Sequence, residues 1–277
     1  MGTLFQDVRY GLRMLRKNPG FAAVAVLTLA LGIGANSAIF TVVNAVLLQP
    51  LPYPEPDRLV YLNEGNAFSS IGYPNYVDWA AQNHVFENIG STQDASFVLT
   101  GHGEAVLIPG TYIANGFLPA LRVKPQMGRS ILPSDDKPGA TPVALISYKF
   151  WQQRLGGDPN VLHTAIQLDD RAYTVVGVMP RDFQFPLGAE PEVLVPIGLV
   201  ANTREKQDRA KHEGTQAIAR LEPGVSIQQA QSDFDLISAR LAKAYPDIDY
   251  EKQALVQPLY DVTVYGMKDW LLVLLAA

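Results

Sequence analysis

No charged residue stands between Lys17 and Glu55, and Arg9, Arg13, Arg16 and Lys17 come directly before that gap. Within it, residues 21–48 read FAAVAVLTLALGIGANSAIFTVVNAVLL. At about 1.5 Å per residue, a helix of that length exceeds the roughly 30 Å hydrocarbon core of a bilayer. The run predicts a transmembrane helix, occupying residues 19–49 with its flanks. The four cations, against Asp7 alone, place the N-terminus in the cytoplasm by the positive-inside rule. Everything after about Pro50 is then expected on the far side of the membrane. A cleaved signal peptide has an apolar region of about 7–15 residues and a small-residue cleavage site. Here the run is 28 residues long and its end, NAVLLQP, shows no clear A-x-A, which favours a retained anchor.

Residues 1–18 read as a cytoplasmic amphipathic helix lying in the membrane interface. Leu4, Val8, Leu12 and Leu15 form one apolar stripe, and the basic residues fall largely off it. Asn18-Pro19-Gly20 breaks the chain before the span. Inside the span, Gly32, Gly34, Ala35, Ser37 and Ala38 make a small-residue belt, joined by Asn36 and Asn44. Small surfaces and amides suit packing against another membrane helix. GIGANS grazes the dinucleotide fingerprint but lacks its last glycine and follows no strand, so it is set aside. Pro50, Pro52, Pro54 and Pro56 stiffen the exit from the membrane.

The net charge of −5 includes +3 from the N-terminal tail, leaving −8 for the rest. Such an acidic balance argues against nucleic acid, which needs a basic footprint. Cysteine is absent, so disulfides and thiolate sites are excluded. That suits an envelope protein, and equally a chain that simply has few cysteines.

The remaining sequence predicts one domain over residues 50–265, of α+β class. Strands are expected at Arg58–Asn63, Ala95–Thr100, Ala105–Tyr112, Val143–Ser147, Ala165–Leu168, Tyr173–Met179, Thr215–Leu221 and Gln253–Leu259. Helices are expected at Pro74–Gln82, Tyr148–Leu155 and Ile227–Ala244. In the last, Ser226 and Gln229 form a capping box, and Ala230, Phe234, Ile237 and Leu241 mark the buried face. Thr215 to Leu259 reads as one split βαβ unit, and the strand from Arg58 with its following helix as the start of a second. A mostly-β subdomain is inserted between them. Residues 266–277, with the charge-free run WLLVLLAA after Lys268 and Asp269, read as the start of a truncated second transmembrane helix.

Chemistry is mostly missing. There is no Walker A pattern and no G-x-S-x-G elbow. His84, His102, His163 and His212 stand far apart without metal-ligand spacing and read as surface or turn residues. Asp135-Asp136 lacks the ligand spacing of a calcium loop and reads as a solvated turn. No catalytic, cofactor-binding or metal-ligating residue is nominated, and the chain reads as no enzyme.

Several segments carry a resemblance. YGLRMLRKNPGF with AVLTLALGIGANSAIFTVVNAVLLQPLPYPEPDRLV, then Tyr73–Trp79, Gly128-Arg129, Pro142–Arg154, Tyr173–Pro180 and Ala219–Gly224 resemble MacB-type ABC transporter permeases. Among these they are most similar to the large unpaired permeases of acidobacteria. His163-Thr164-Ala165 departs from the pattern, where relatives usually show a glycine and lysine. The resemblance implies a bacterial inner-membrane permease with a periplasmic core domain between its first and second membrane helices. It implies a cytoplasmic ABC ATPase subunit or domain, a second permease unit and a periplasmic adaptor as partners, and no cofactor. ATP-driven closure would pass through the long helices to move the periplasmic domain, exporting or extracting an unknown substrate. The reading from a different class is a single-span, membrane-anchored periplasmic interaction module without transport activity.

Overall fold

The structure is a computed structural model that describes residues 2–44, 49–65, 69–101, 103–247, 254–266, 270 and 273. The chain divides into two units, Met1–Gln49 with Val264–Ala277, and Pro50–Thr263.

In the first unit, α1 (Gly2–Lys17) and α2 (Pro19–Val43) are separated at Asn18. Arg16 and Lys17 fall in the last turn of α1, where cations complement the helix dipole. The side chains of Leu4, Val8 and Leu12, which carry the expected apolar stripe, lie outside the described residues. Pro19 sits at the start of α2, where its missing N–H costs nothing. Pro19–Thr41 is long and apolar enough to cross a membrane, with mean hydropathy 1.9 and no part of that window buried in protein. Its hydroxyls are satisfied within the helix: Thr28 donates to the Val24 carbonyl at 2.9 Å and Thr41 to that of Ser37 at 2.7 Å. In lipid that removes the cost of an unpaired donor. The expected second membrane helix falls almost wholly outside the described residues.

The second unit is built on β1 (Leu59–Glu64), α3 (Tyr73–Gln82), β2 (Phe86–Thr100), β9 (Thr215–Leu221), α7 (Ile227–Ala244) and β10 (Ala254–Pro258). The strands lie in the order β10-β1-β9-β2, each neighbouring pair antiparallel. Thus β9 and β10 run parallel with β1 between them, and β1 and β2 run parallel with β9 between them. These are two interlocked split βαβ units. The capping box of α7 is present, and Ala230, Phe234, Ile237 and Leu241 are its buried residues. Its 3.6-residue apolar spacing is what puts those four on one face.

Between β2 and β9 come β3 (Val106–Ile113), α4 (Phe117–Leu121), β4 (Met127–Gly128), β5 (Val143–Ile146), α5 (Tyr148–Arg154), β6 (Ala165–Leu168), β7 (Arg171–Val178), β8 (Val193–Pro196) and α6 (Arg204–Gln207). A last short helix, α8 (Leu259–Val264), follows β10. The β6–β7 turn has both Asp169 and Asp170 at positive φ, +49° and +61°, the two left-handed residues of a tight hairpin turn. The insert is not a separate sheet. β2 starts at Phe86 rather than Ala95, and its 15 residues pair with β9 along one edge and with β3 along the other. Its first half, FENIGSTQD, has no apolar alternation, so only the pairing reveals it as strand.

Three apolar clusters result. One, between the four-stranded part and helices α3 and α7, holds Val60, Leu62, Trp79, Phe86, Ala217 and Phe234. A second holds Leu59, Tyr61, Ile113, Phe117, Leu118 and Ile218. The third fills the insert around Phe97, Ile108, Ile146, Phe150 and Val178. β1 sends Val60 and Leu62 to one cluster and Leu59 and Tyr61 to another, so it is buried on both faces. Gly90 of β2 faces α4 so closely that a Cβ would overlap the backbone of Phe117. Gly128, at φ +75°, similarly meets the Val176 carbonyl, which explains the glycine of the Gly128-Arg129 turn.

The Asp135-Asp136 turn is not simply solvated. Asp135 pairs with Arg129 at 2.5 Å and accepts the Leu132 N–H at 2.9 Å. Asp136 accepts the N–H groups of Asn115 at 2.8 Å and Gly198 at 2.6 Å. Burial raises the Asp136 pKa, and those two backbone donors oppose the shift. The carboxylates staple a loop to the sheet instead of standing in water.

Candidate functional site

The segment that begins the second unit, Pro50–Arg58, is held by two devices. The first is apolar. Leu51 and Tyr53 pack on the cluster around Phe117, and Leu259 and Val262 of α8 belong to that same cluster. The segment that opens the unit and the segment that closes it therefore share one core. Tyr53 is 7% exposed, its hydroxyl donates to the Gln184 carbonyl at 2.7 Å, and burial raises its pKa. Gln184 lies between Phe183 and Phe185, and Phe185 stacks on Phe117 with ring centroids 5.1 Å apart.

The second device is ionic. Glu55 pairs with Arg58 and, at 2.7 Å, with Arg122. Glu87 pairs with the same two arginines, at 2.7 Å and 3.0 Å. Beneath them Arg220, fully buried, donates to the Ala120 carbonyl at 2.7 Å and to the Glu55 carbonyl at 3.0 Å. Arg58 reaches the Leu221 carbonyl at 3.0 Å. One exposed ion pair adds at most about 1 kcal/mol, but a network of guanidinium forks adds geometric definition. Glu55 and Arg122 also hold left-handed backbone, φ +47° and +56°. Each such non-glycine residue costs about 1 kcal/mol and persists only where its surroundings impose it. A strained, charge-paired joint thus fastens the incoming segment to β9 and α4.

Charge coupling within the joint follows from these contacts. Arg122 foremost, then Arg58, lowers the Glu55 pKa below 4.5. Burial pulls Glu87 upward, yet the same arginines more than cancel it and leave its pKa lowered. Arg220 is lowered by burial and then by repulsion from Arg122 and Arg58. Depressed carboxylate pKa values contribute stability that is present above the unfolded-state value and lost as pH falls through the folded one. The expected outcome is a thermal midpoint advantage of the native chain over a Glu55→Gln, Glu87→Gln variant that is complete at pH 6 and fades as pH drops below 4.5. Paired melting curves from pH 6 to pH 3 check it. Asp136 has the opposite sign, because its pKa is raised, but it is common to both chains and cancels.

Among the described residues the histidines do not converge. The His84 backbone N–H donates to Asp233 at 3.3 Å, and His163 occupies a left-handed position at φ +68°. His212 lies 3.1 Å from Glu64, and His102 is outside the described residues. Sequence reasoning missed Tyr53, Glu55, Arg122 and Arg220. The available signal was Arg220, the one charge inside the otherwise apolar run AIARL.

Comparison with known proteins decides the family. The profile of the MacB-like periplasmic core domain matches residues 22–237. The chain belongs to that family. The fold agrees with a domain described as that of a permease protein from Porphyromonas gingivalis, at TM-score 0.55 and 21% identity over 74% of this chain and 92% of that one. It also agrees with the periplasmic region of MacB from Actinobacillus actinomycetemcomitans, at TM-score 0.55 and 12% identity over 76% and 93%. No curated protein matches the sequence. Membership in the family, with one apolar helix able to span a membrane, supports a membrane-anchored component of a transporter permease.

Proposed function

We propose that this chain carries the first span and core domain of an ABC-type permease in the bacterial inner membrane, N-terminus in the cytoplasm and core domain in the periplasm. Closure of a cytoplasmic ATPase is transmitted along α2 and the proline-stiffened exit to the core domain. That domain then moves as a body to export or extract an envelope substrate. A second permease unit completes the machine, and a periplasmic adaptor would dock on the moving domain. Residues 1–18 serve as an interfacial helix and residues 266–277 as the start of the returning span.

The observation that carries this reading is the joint itself. Force arriving at Leu51 enters the core through Tyr53 and through Glu55, and the segment that closes the unit is rooted in the same cluster. A flexible tether would need neither a buried tyrosine nor strained, paired backbone.

The chain has no cysteine, so single probes are clean. With Gln6→Cys and Lys124→Cys variants, a membrane-impermeant maleimide should label Lys124→Cys in intact cells and Gln6→Cys only after lysis. In the complex with its ATPase, spin labels at Lys124→Cys of paired units should change separation on nucleotide trapping. Three glycines inserted after Pro50 should abolish that change while leaving ATP hydrolysis intact. A core domain that stays still under nucleotide in the native complex would refute the proposal.

A further inference from the structure

The loop that receives Tyr53 also forms a wall of an open cavity of about 810 Å³. That volume lies within the range of small-molecule sites, about 300–1,000 Å³. Half-buried Phe183 and Phe185 give it an apolar, aromatic wall, backed by the buried Met179 and Leu194. Lys149 and Arg181, both exposed, line it as well, and the Arg181 guanidinium lies 5.9 Å from the Tyr148 ring centroid. Neither cation has an ion-pair partner among the described residues, although the chain beyond its basic tail carries −8. Of the two carboxylates in the lining, Glu192 is neutralised by Arg154 at 2.6 Å, and Glu190 on the exposed edge has no ion-pair partner among the described residues. The lining itself holds two cations and two carboxylates, and pairing of Glu192 with Arg154 leaves Lys149 and Arg181 as its open donors.

We infer that this cavity binds a small amphiphile with a carboxylate head, its apolar body on Phe183 and Phe185 and its head facing Lys149 and Arg181. The Lys149 ammonium and the Arg181 guanidinium fork suit a carboxylate, and the aromatic wall disfavours a fully polar ligand. The occupant touches the loop whose Gln184 carbonyl holds Tyr53, so binding adds contacts to the anchor of the incoming segment. This goes beyond the transport reading and does not depend on it.

The full chain in lipid nanodiscs, photolysed with a diazirine-bearing octanoate and mapped by mass spectrometry, tests the inference. Labels are expected on residues 147–154 and 179–194, competed by octanoate and not by octylamine. Replacing both Lys149→Glu and Arg181→Glu should reduce labelling about tenfold or more, the worth of one charge-assisted contact. Lys124→Glu, outside the lining, should leave it unchanged, and Glu190→Gln should strengthen it. Both lining cations are exposed, and unchanged thermal midpoints verify that the variants stay folded. Labels confined to other residues, equal competition by octylamine, or indifference to the double substitution would each overturn the inference.

Discussion

An Arg220→Ala chain should lose about 3 kcal/mol of stability. Removing the guanidinium strips the buried Ala120 carbonyl of its donor, takes one from Glu55, and leaves a void beneath the ionic joint. Relief of repulsion with Arg58 and Arg122 works the other way, but those two keep Glu55 and Glu87 as partners near the surface. The loss of two charge-assisted bonds and of packing therefore wins. At about 2–4 °C per kcal/mol for a domain of this size, the thermal midpoint should fall by about 6–12 °C. Hydrogen exchange should rise selectively at residues 51–58, because Glu55 is held through its carbonyl as well as its side chain. Arg220→Met, which keeps volume without charge, should fall between the two. A midpoint shift below about 2 °C with unchanged exchange would mean that Arg220 does not fasten the joint.

Phe234→Ala should be worse, at about 4 kcal/mol. Phe234 is fully buried on α7, with its ring centroid 5.2 Å from Trp79 of α3 and 5.3 Å from Phe86 of β2. One ring thus ties both crossover helices to the sheet, and its removal leaves a void that three separate elements would have to move to fill. Tryptophan emission during guanidinium unfolding reports the loss, since Trp79 is only 1% exposed in the native state. Leu236, two residues on and 63% exposed, is the control: Leu236→Ala should stay within about 0.5 kcal/mol. Equal costs at the two positions would mean that α7 does not pack as described.

The two positions differ in how legible they are in the sequence. Phe234 belongs to a helix whose cap, period and buried face are all written locally, so its role follows from its immediate neighbours. Arg220 looks like a lone charge in a strand. Its partners come from residues 55 and 120, far away in sequence, and nothing local announces them. The first half of β2 is hidden for the same reason: its strand character comes from pairing with β9, more than 100 residues away. Asp136 reads as a solvated loop residue until Asn115 and Gly198 are brought to it.

The sequence alone determined the apolar run with its basic flank, the α+β class, the helix α7 with its cap and buried face, and the family pattern. The first three rest on composition or on a period of two to four residues, the range over which side chains act on their own backbone, and the last on a resemblance of short segments. The tertiary structure alone decided the single continuous sheet, the shared core beneath Leu51 and Val262, the joint around Arg220 and the cavity beside Tyr53. Those features are made by groups tens to hundreds of residues apart, and their energies exist only once the chain has closed the loops between them.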